Sequence, residues 1–205
     1  MILSERFQKA VSLACDLHRN QKRKNLPTPF IAHPLSVASL VIENIEQNEA
    51  GATLAEDYAI TAVLHDTIED QGGMLTYAII EKLFGKNIAD NVLLLSDSAV
   101  AKGETKPPKA TRNQIYRQKM ETAPLGVVLI SCCDKLHNLR SMKADYDIFG
   151  ADIWNAYSQS PALTLENYRT LEALYTRRLG SHRILSALHA AICDVERILP
   201  DNASL

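Results

Sequence analysis

The sequence lacks the features of a membrane protein, a secreted protein and a general nucleic-acid binder. No apolar run in its 205 residues approaches the roughly 20 residues that a membrane-spanning helix needs. Residues 1–6 contain no basic segment followed by an apolar run, so we expect no signal peptide. The net charge is −2 and no long basic run is present, which argues against binding nucleic acid through phosphate contacts alone.

Cysteine is also scarce, and its spacing excludes a paired-thiol motif. None of the four cysteines forms a CxxC pair, and Cys132 and Cys133 lie inside an apolar segment where they are expected to be small core residues. A reducing, cytoplasmic setting fits this pattern best. We therefore expect a cytoplasmic protein without membrane or nucleic-acid partners, and no feature of the sequence indicates its oligomeric state.

What is present is helical periodicity in nearly every segment. Ser4 is expected to cap a first helix that reaches residue 19. Pro124 opens a helix expected to run through Met142, whereas residues 143–163 are expected to be irregular, with at most a short helix at 153–157. No convincing period-two alternation and no internal repeat is found. The sequence therefore predicts a single all-α domain over residues 1–205, with about nine to ten helices.

The most informative segment packs one imidazole and three carboxylates into six residues, directly after the apolar residues 58–64. It reads His65-Asp66-Thr67-Ile68-Glu69-Asp70. Charges beside an apolar segment are costly unless they are compensated. A divalent cation compensates them well, because imidazole and carboxylate are both good ligands for it. The alternative is an acidic helix end exposed to water.

Two further potential ligands lie far from this segment in the sequence. Asp134 follows residues 125–133, which are apolar on all sides of a helix, and a buried ionised Asp needs a cation or strong donors. Lys135 is an alternative partner, although adjacent helical positions do not face each other. His33 is flanked by apolar residues, and a single histidine in such a segment is more often a core residue than a metal ligand. The candidate ligands are therefore His33, His65, Asp66 and Asp134, a set that suits manganese, iron, zinc or magnesium.

An acidic pair follows the first two of these candidates. Glu69 lies four residues after His65, and Asp70 lies four residues after Asp66. In a continuous helix both would face the metal side, where they could orient an attacking water molecule or move protons. A solvated acidic turn before the next glycines is the alternative.

Basic and amide side chains complete the set of candidates. Arg23 and Lys24 precede His33 and are either a basic surface loop or the cations that a polyanionic substrate requires. An arginine can also stack flat on a nucleobase. Asn138 lies four residues after Asp134 and so shares its helix face.

Three segments in this order and at these separations, residues 23–34, 64–70 and 134–140, resemble the HD-domain hydrolases of the RelA/SpoT type. In particular they resemble the small stand-alone alarmone hydrolases, over roughly residues 5–198. The resemblance implies an all-α HD-domain helical bundle that binds one Mn2+ ion, although another divalent metal is possible. It also implies hydrolysis of the 3′-diphosphate of guanosine tetra- or pentaphosphate, (p)ppGpp, which yields GDP or GTP and pyrophosphate.

The same resemblance implies a role for each candidate residue. The implied metal ligands are His33, His65, Asp66 and Asp134. The implied water-activating pair is Glu69 and Asp70. The implied nucleotide contacts are Arg23, Lys24, Asn138 and Tyr168.

The sequence departs from the family pattern after the acidic pair. Residues 96–98 and 106–109 replace a threonine-rich stretch and the basic one that follows it, in a region that shapes the nucleotide pocket. The bifunctional relatives also carry a synthetase domain, for which this chain has no room, so we expect no alarmone synthesis. Two other hypotheses stay open: a phosphatase of another nucleotide, such as the 2′-phosphate of NADPH, and a module that binds the alarmone without cleaving it.

Overall fold

The structure is a computed structural model that describes residues 3–24, 26–45, 51–100 and 104–200. Within these ranges the chain is all-α, as predicted, with one isolated bridge between Lys22 and Pro29 and no strand. None of the helices described is long and apolar enough to cross a bilayer. The helices are α1 (Glu5–Leu17), α2 (Ala32–Asn44), α3 (Gly51–Leu64), α4 (Thr67–Gln71), α5 (Met74–Phe84), α6 (Lys86–Leu95), α7 (Lys109–Thr122), α8 (Leu125–Phe149), a 3-10 helix (Gly150–Ala156), α9 (Pro161–Leu179) and α10 (Ile184–Glu196).

Helix α8 lies at the centre of the fold because every side chain from residue 127 to residue 134 is buried. An element that is apolar on all sides must be covered on all sides, and α2, α9 and α10 pack against it. Helix α3 approaches α8 closely at Gly126, where an added Cβ would overlap the ring of Tyr58. This packing carries Asp134 into the interior.

Helix α8 continues to Phe149, beyond the end at Met142 that we predicted. On its surface the ammonium group of Lys143 lies 2.5 Å from a carboxylate oxygen of Asp147, one turn later. The helix ends at Gly150, whose φ of 60° is a conformation that glycine adopts without strain. The prediction of an irregular segment was therefore wrong for residues 143–149, because the surface pair and the late glycine extend the helix. It was also wrong for residues 161–163, which form the start of α9.

Two serines fix the starts of the first and ninth helices. The Ser4 hydroxyl accepts a hydrogen bond from the backbone N–H of Arg6 at 3.1 Å, which confirms it as the cap of α1. The Ser160 hydroxyl accepts one from Leu163 at 3.3 Å, and Pro161 occupies the first turn of α9.

Helices α3 and α4 are separated by a turn that contains His65 and Asp66. Helix α3 ends at Leu64, and α4 begins at Thr67, whose hydroxyl donates to the Leu64 carbonyl at 2.6 Å. The continuous helix considered for Glu69 and Asp70 is therefore not formed. The turn instead points the side chains of His65 and Asp66 toward α2 and α8.

Candidate metal centre and its cleft

Three helices bring the four candidate ligands to one place. His33 lies in the first turn of α2, His65 and Asp66 follow α3, and Asp134 lies in α8. Nε2 of His33 is 3.2 Å from Nε2 of His65, 3.3 Å from Oδ2 of Asp66 and 3.2 Å from Oδ1 of Asp134. Nε2 of His65 is 3.2 Å from Oδ2 of Asp66 and 3.8 Å from Oδ1 of Asp134. Residues that are far apart in the sequence thus form one cluster, in which His33, His65 and Asp134 are buried and Asp66 is partly exposed.

This cluster fits a divalent ion. The ligand atoms of His33, His65 and Asp66 all lie within 4.8 Å of one another, and Asp134 adjoins both imidazoles. Donors that each lie about 2 Å from a shared ion are themselves roughly 3–4 Å apart. Two imidazole nitrogens with two carboxylates suit manganese, iron or zinc.

Electrostatics favour a positive charge at the centre of the cluster. Burial opposes a charge on His65, but the carboxylates of Asp66 and Asp134 outweigh it and raise the pKa of His65 well above its usual value. Burial also opposes ionisation of Asp66, yet His65 and His33 lower the pKa of this carboxyl. A proton on His65 would therefore compete with a metal ion for the same place, so metal binding should weaken as the pH falls.

The two oxygens of Asp134 have different partners. Oδ1 faces the imidazoles and accepts a hydrogen bond from Nδ2 of Asn138 at 2.6 Å. Oδ2 accepts one from Nζ of Lys135 at 2.5 Å. Burial opposes ionisation of Asp134, but Lys135 and the imidazoles lower its pKa well below the usual value. The alternative partner Lys135 is therefore in contact with Asp134, and our argument against it was wrong, because its side chain is long enough for Nζ to reach Oδ2 from the adjacent helical position. The same Nζ lies 4.8 Å from the ring centroid of Tyr116.

Glu69 is held by partners from the segment that follows α6. Its Oε1 lies 3.1 Å from Nζ of Lys106, and its Oε2 accepts a hydrogen bond from the backbone N–H of Asp97 at 3.0 Å. Burial, together with the charges of Asp97 and Asp66, raises the pKa of Glu69 to about 7. A carboxyl group with such a pKa can both take up and release a proton near neutral pH.

Asp70 is held separately, by the segment that follows α1. Its Oδ2 accepts a hydrogen bond from Nε2 of Gln21 at 2.7 Å, and the Oε1 of Gln21 lies 2.8 Å from Nδ1 of His18. Burial and the charge of Asp66 raise the pKa of Asp70. The two acidic side chains are therefore held by different segments of the chain, and both line the same cleft.

The cluster opens into a cleft of about 430 Å³. Every predicted site residue lines this cleft except His65, which lies beneath its floor. Nη2 of Arg23 donates to Oδ1 of Asn138 at 3.3 Å, and Nζ of Lys24 lies 4.5 Å from the ring centroid of Tyr157. Tyr168, on α9, also lines the cleft. Cations and aromatic rings thus surround a carboxylate-rich floor.

The structure adds residues that our sequence analysis did not single out. Gln21, Lys109 and Tyr157 line the cleft. His137 lies behind it, with its Nδ1 2.8 Å from Nδ1 of His33. Burial, with His33 and Arg23 nearby, lowers the pKa of His137 to about 4, so this ring is neutral at neutral pH. One sequence signal could have indicated two of these residues. Gln21 is two positions from Arg23, and His137 is three positions from Asp134.

Comparisons with known proteins agree with this arrangement. Residues 10–153 match the family described as HD domain. The guanosine-3′,5′-bis(diphosphate) 3′-pyrophosphohydrolase MESH1 of Xenopus tropicalis is 32% identical over 137 residues, which cover 65% of this chain and 68% of that protein. The bifunctional (p)ppGpp synthase/hydrolase SpoT of Escherichia coli K12 is 29% identical over 186 residues, 90% of this chain but only 23% of SpoT. The solved structure of a metazoan orthologue of SpoT shares the fold, with a TM-score of 0.65 at 20% identity over 96% of this chain and 97% of that one.

Proposed function

The chain belongs to the HD domain family, and from this membership we propose that it is a metal-dependent hydrolase of guanosine tetra- or pentaphosphate. The reaction is removal of the 3′-diphosphate, which yields GDP or GTP and pyrophosphate. The observation that supports it most directly is the meeting of His33, His65, Asp66 and Asp134 at the floor of a cleft that also holds two further carboxylates and several cations.

The four clustered side chains would hold the metal, which we propose to be Mn2+. When bound, such an ion polarises a phosphoryl group and lowers the pKa of water. Asn138 and Lys135 contribute by keeping Asp134 ionised and aimed at the imidazoles, because each donates a hydrogen bond to a different oxygen of that carboxylate.

Glu69 and Asp70 would manage the proton of the attacking water. In the reaction the water oxygen bonds to the phosphorus next to the ribose, and the bond from that phosphorus to the 3′-oxygen breaks. One water proton passes to a carboxylate of the acidic pair, and the departing 3′-oxygen takes up a proton. The pKa of about 7 at Glu69 suits this task, since a base works best when its pKa is near the operating pH, and the pKa of Asp70 is shifted in the same direction.

Arg23 and Lys24 would bind the charged nucleotide. Both line the cleft, and Arg23 is positioned by Asn138 and by the ring of Phe30, whose centroid lies 5.7 Å from the guanidinium carbon. An arginine held in this way can pair with phosphate oxygens or lie flat on a base. Tyr168, which also lines the cleft, would contact the nucleoside.

Of the other two hypotheses, the non-hydrolytic module is the weaker one. A binding module without activity would require the loss of a ligand or of the acidic pair, whereas all six side chains are present and line or underlie one cleft. A phosphatase acting on NADPH would use the same centre, so the two substrates must be compared directly.

The test is a side-by-side assay of purified protein with Mn2+. We expect pyrophosphate release from guanosine tetraphosphate, faster than phosphate release from NADPH, and loss of both in Asp134→Ala. Absence of pyrophosphate release from a fully metallated sample would refute the assignment of guanosine tetraphosphate as the substrate. Tight binding of uncleaved nucleotide in that sample would establish the non-hydrolytic module instead.

A further inference from the structure

Both ring nitrogens of His33 are held by residues of a single helix. On one side, Nε2 of His33 lies 3.2 Å from Oδ1 of Asp134. On the other, Nδ1 of His33 lies 2.8 Å from Nδ1 of His137. Asp134 and His137 are three residues apart on α8, so they occupy the same face of that helix. The imidazole of His33 thus contacts two residues of one turn of α8, one at each ring nitrogen.

The contact between the two Nδ1 atoms restricts where protons can lie. Two ring nitrogens at 2.8 Å share one hydrogen, so one ring must donate and the other must accept. If Nε2 of His33 is to bind an ion, it must be free of a proton, and the neutral ring then carries its hydrogen on Nδ1. His137 must in that case accept at Nδ1 and carry its own hydrogen on Nε2.

We propose that His137 is a positioning residue for the metal centre: it accepts the Nδ1 hydrogen of His33 and so leaves Nε2 of His33 free as a ligand. The inference rests on the proposed metal centre but assigns a role to a residue outside the cleft. His137 does not line the cleft, so this role does not require contact with substrate.

The residue type that accepts the Nδ1 hydrogen of His33 affects the net charge of the proposed metal centre. Metal-binding histidines usually donate their second N–H to a carboxylate, a carbonyl or water. A carboxylate at this position would add a third negative charge close to Asp66 and Asp134. A neutral imidazole acceptor orients His33 without adding that charge. The rings are tilted by 48° with centroids 4.8 Å apart, so the hydrogen bond and not face-to-face stacking sets their geometry.

Mn2+ affinity, measured by calorimetry on protein stripped of metal by a chelator, tests this role. His137→Phe removes the acceptor, and we expect Mn2+ to bind about 10- to 100-fold more weakly, the usual effect of losing such a partner. His137→Gln restores an acceptor oxygen, so its affinity should recover most of that loss. His182→Gln is the matched control, because it removes a part-buried imidazole that is bonded to the Asn44 carbonyl on another part of the surface.

Nitrogen NMR of the wild-type protein with Zn2+ tests the proton positions without any substitution. We expect a protonated nitrogen at Nδ1 of His33 and at Nε2 of His137. An unprotonated Nδ1 at His33, or unchanged Mn2+ affinity in a folded His137→Phe, would overturn the inference while leaving the proposed function intact. Failure of the wild-type protein to bind Mn2+ would instead overturn both.

Discussion

The raised pKa of Glu69 makes its ionisation costly to the folded protein. The side chain is only 20% exposed, and burial, Asp97 and Asp66 together raise its pKa from 4.5 to about 7. The folded state therefore holds this proton more tightly than the unfolded state does. The stabilisation is complete below pH 4.5 and is lost as the pH rises through 7. A shift of this size corresponds to about 3 kcal/mol of unfolding free energy, since each pKa unit contributes roughly 1.4 kcal/mol.

Glu69→Gln should therefore stabilise the protein at alkaline pH. It should also abolish activity, because the carboxylate proposed to take up the water proton is lost. Relative to wild type, we expect its unfolding free energy to gain about 3 kcal/mol between pH 4.5 and pH 8. Urea denaturation of chelator-treated protein, followed at several pH values in that window, measures the difference. Glu121→Gln, which removes a surface carboxylate paired with Arg177, controls for the substitution itself.

The decisive quantity is how the difference in unfolding free energy between wild type and Glu69→Gln changes with pH. A difference between wild type and Glu69→Gln that stays constant from pH 4.5 to pH 8 would refute the assignment of a raised pKa. With Mn2+ added, the effect should shrink, because a cation beside Asp66 offsets one of the charges that raise the pKa of Glu69.

Three other perturbations test other parts of the structure. Arg23→Ala should raise KM for guanosine tetraphosphate by about tenfold or more in steady-state kinetics, with a smaller effect on kcat, because a phosphate contact is lost; an unchanged KM would exclude Arg23 from substrate binding. Mn2+ at 100 times its Kd should stabilise the wild type by about 2.7 kcal/mol in thermal unfolding, but not Asp134→Asn; equal stabilisation would place the ion elsewhere. Gly126→Ala should destabilise the fold by about 1–3 kcal/mol in urea, because its Cβ would overlap the ring of Tyr58; wild-type stability would contradict the close packing of α3 on α8.

The helical fold and the meeting of the four candidate ligands follow from strong sequence signals. Helix α8 is apolar on all sides up to Cys133, so its burial and that of Asp134 could be inferred from composition alone. The closely spaced charges from His65 to Asp70 require a compensating cation. The other ligands of such a cation were therefore sought among the few polar residues that lie in other apolar segments. That these side chains meet is a property of the structure, whereas their roles as ligands remain predictions.

Other features depend on how the helices cross and had no local signal. The contact of His33 with His137 joins residues that are 104 positions apart and exists only because α2 packs on α8 at that level. The turn at His65 and Asp66 interrupts what periodicity alone describes as one helix, so Glu69 meets Lys106 instead of following His65 toward the centre. Spacing along a sequence indicates a shared face only while the helix is continuous.

The central claim is that four side chains share one ion, and anomalous X-ray diffraction from crystals soaked in Mn2+ tests it directly. We expect a single manganese peak bounded by His33, His65, Asp66 and Asp134, with each ligand atom roughly 2.0–2.3 Å from it. A peak bounded by other side chains, or no peak beside these four at saturating Mn2+, would contradict the claim.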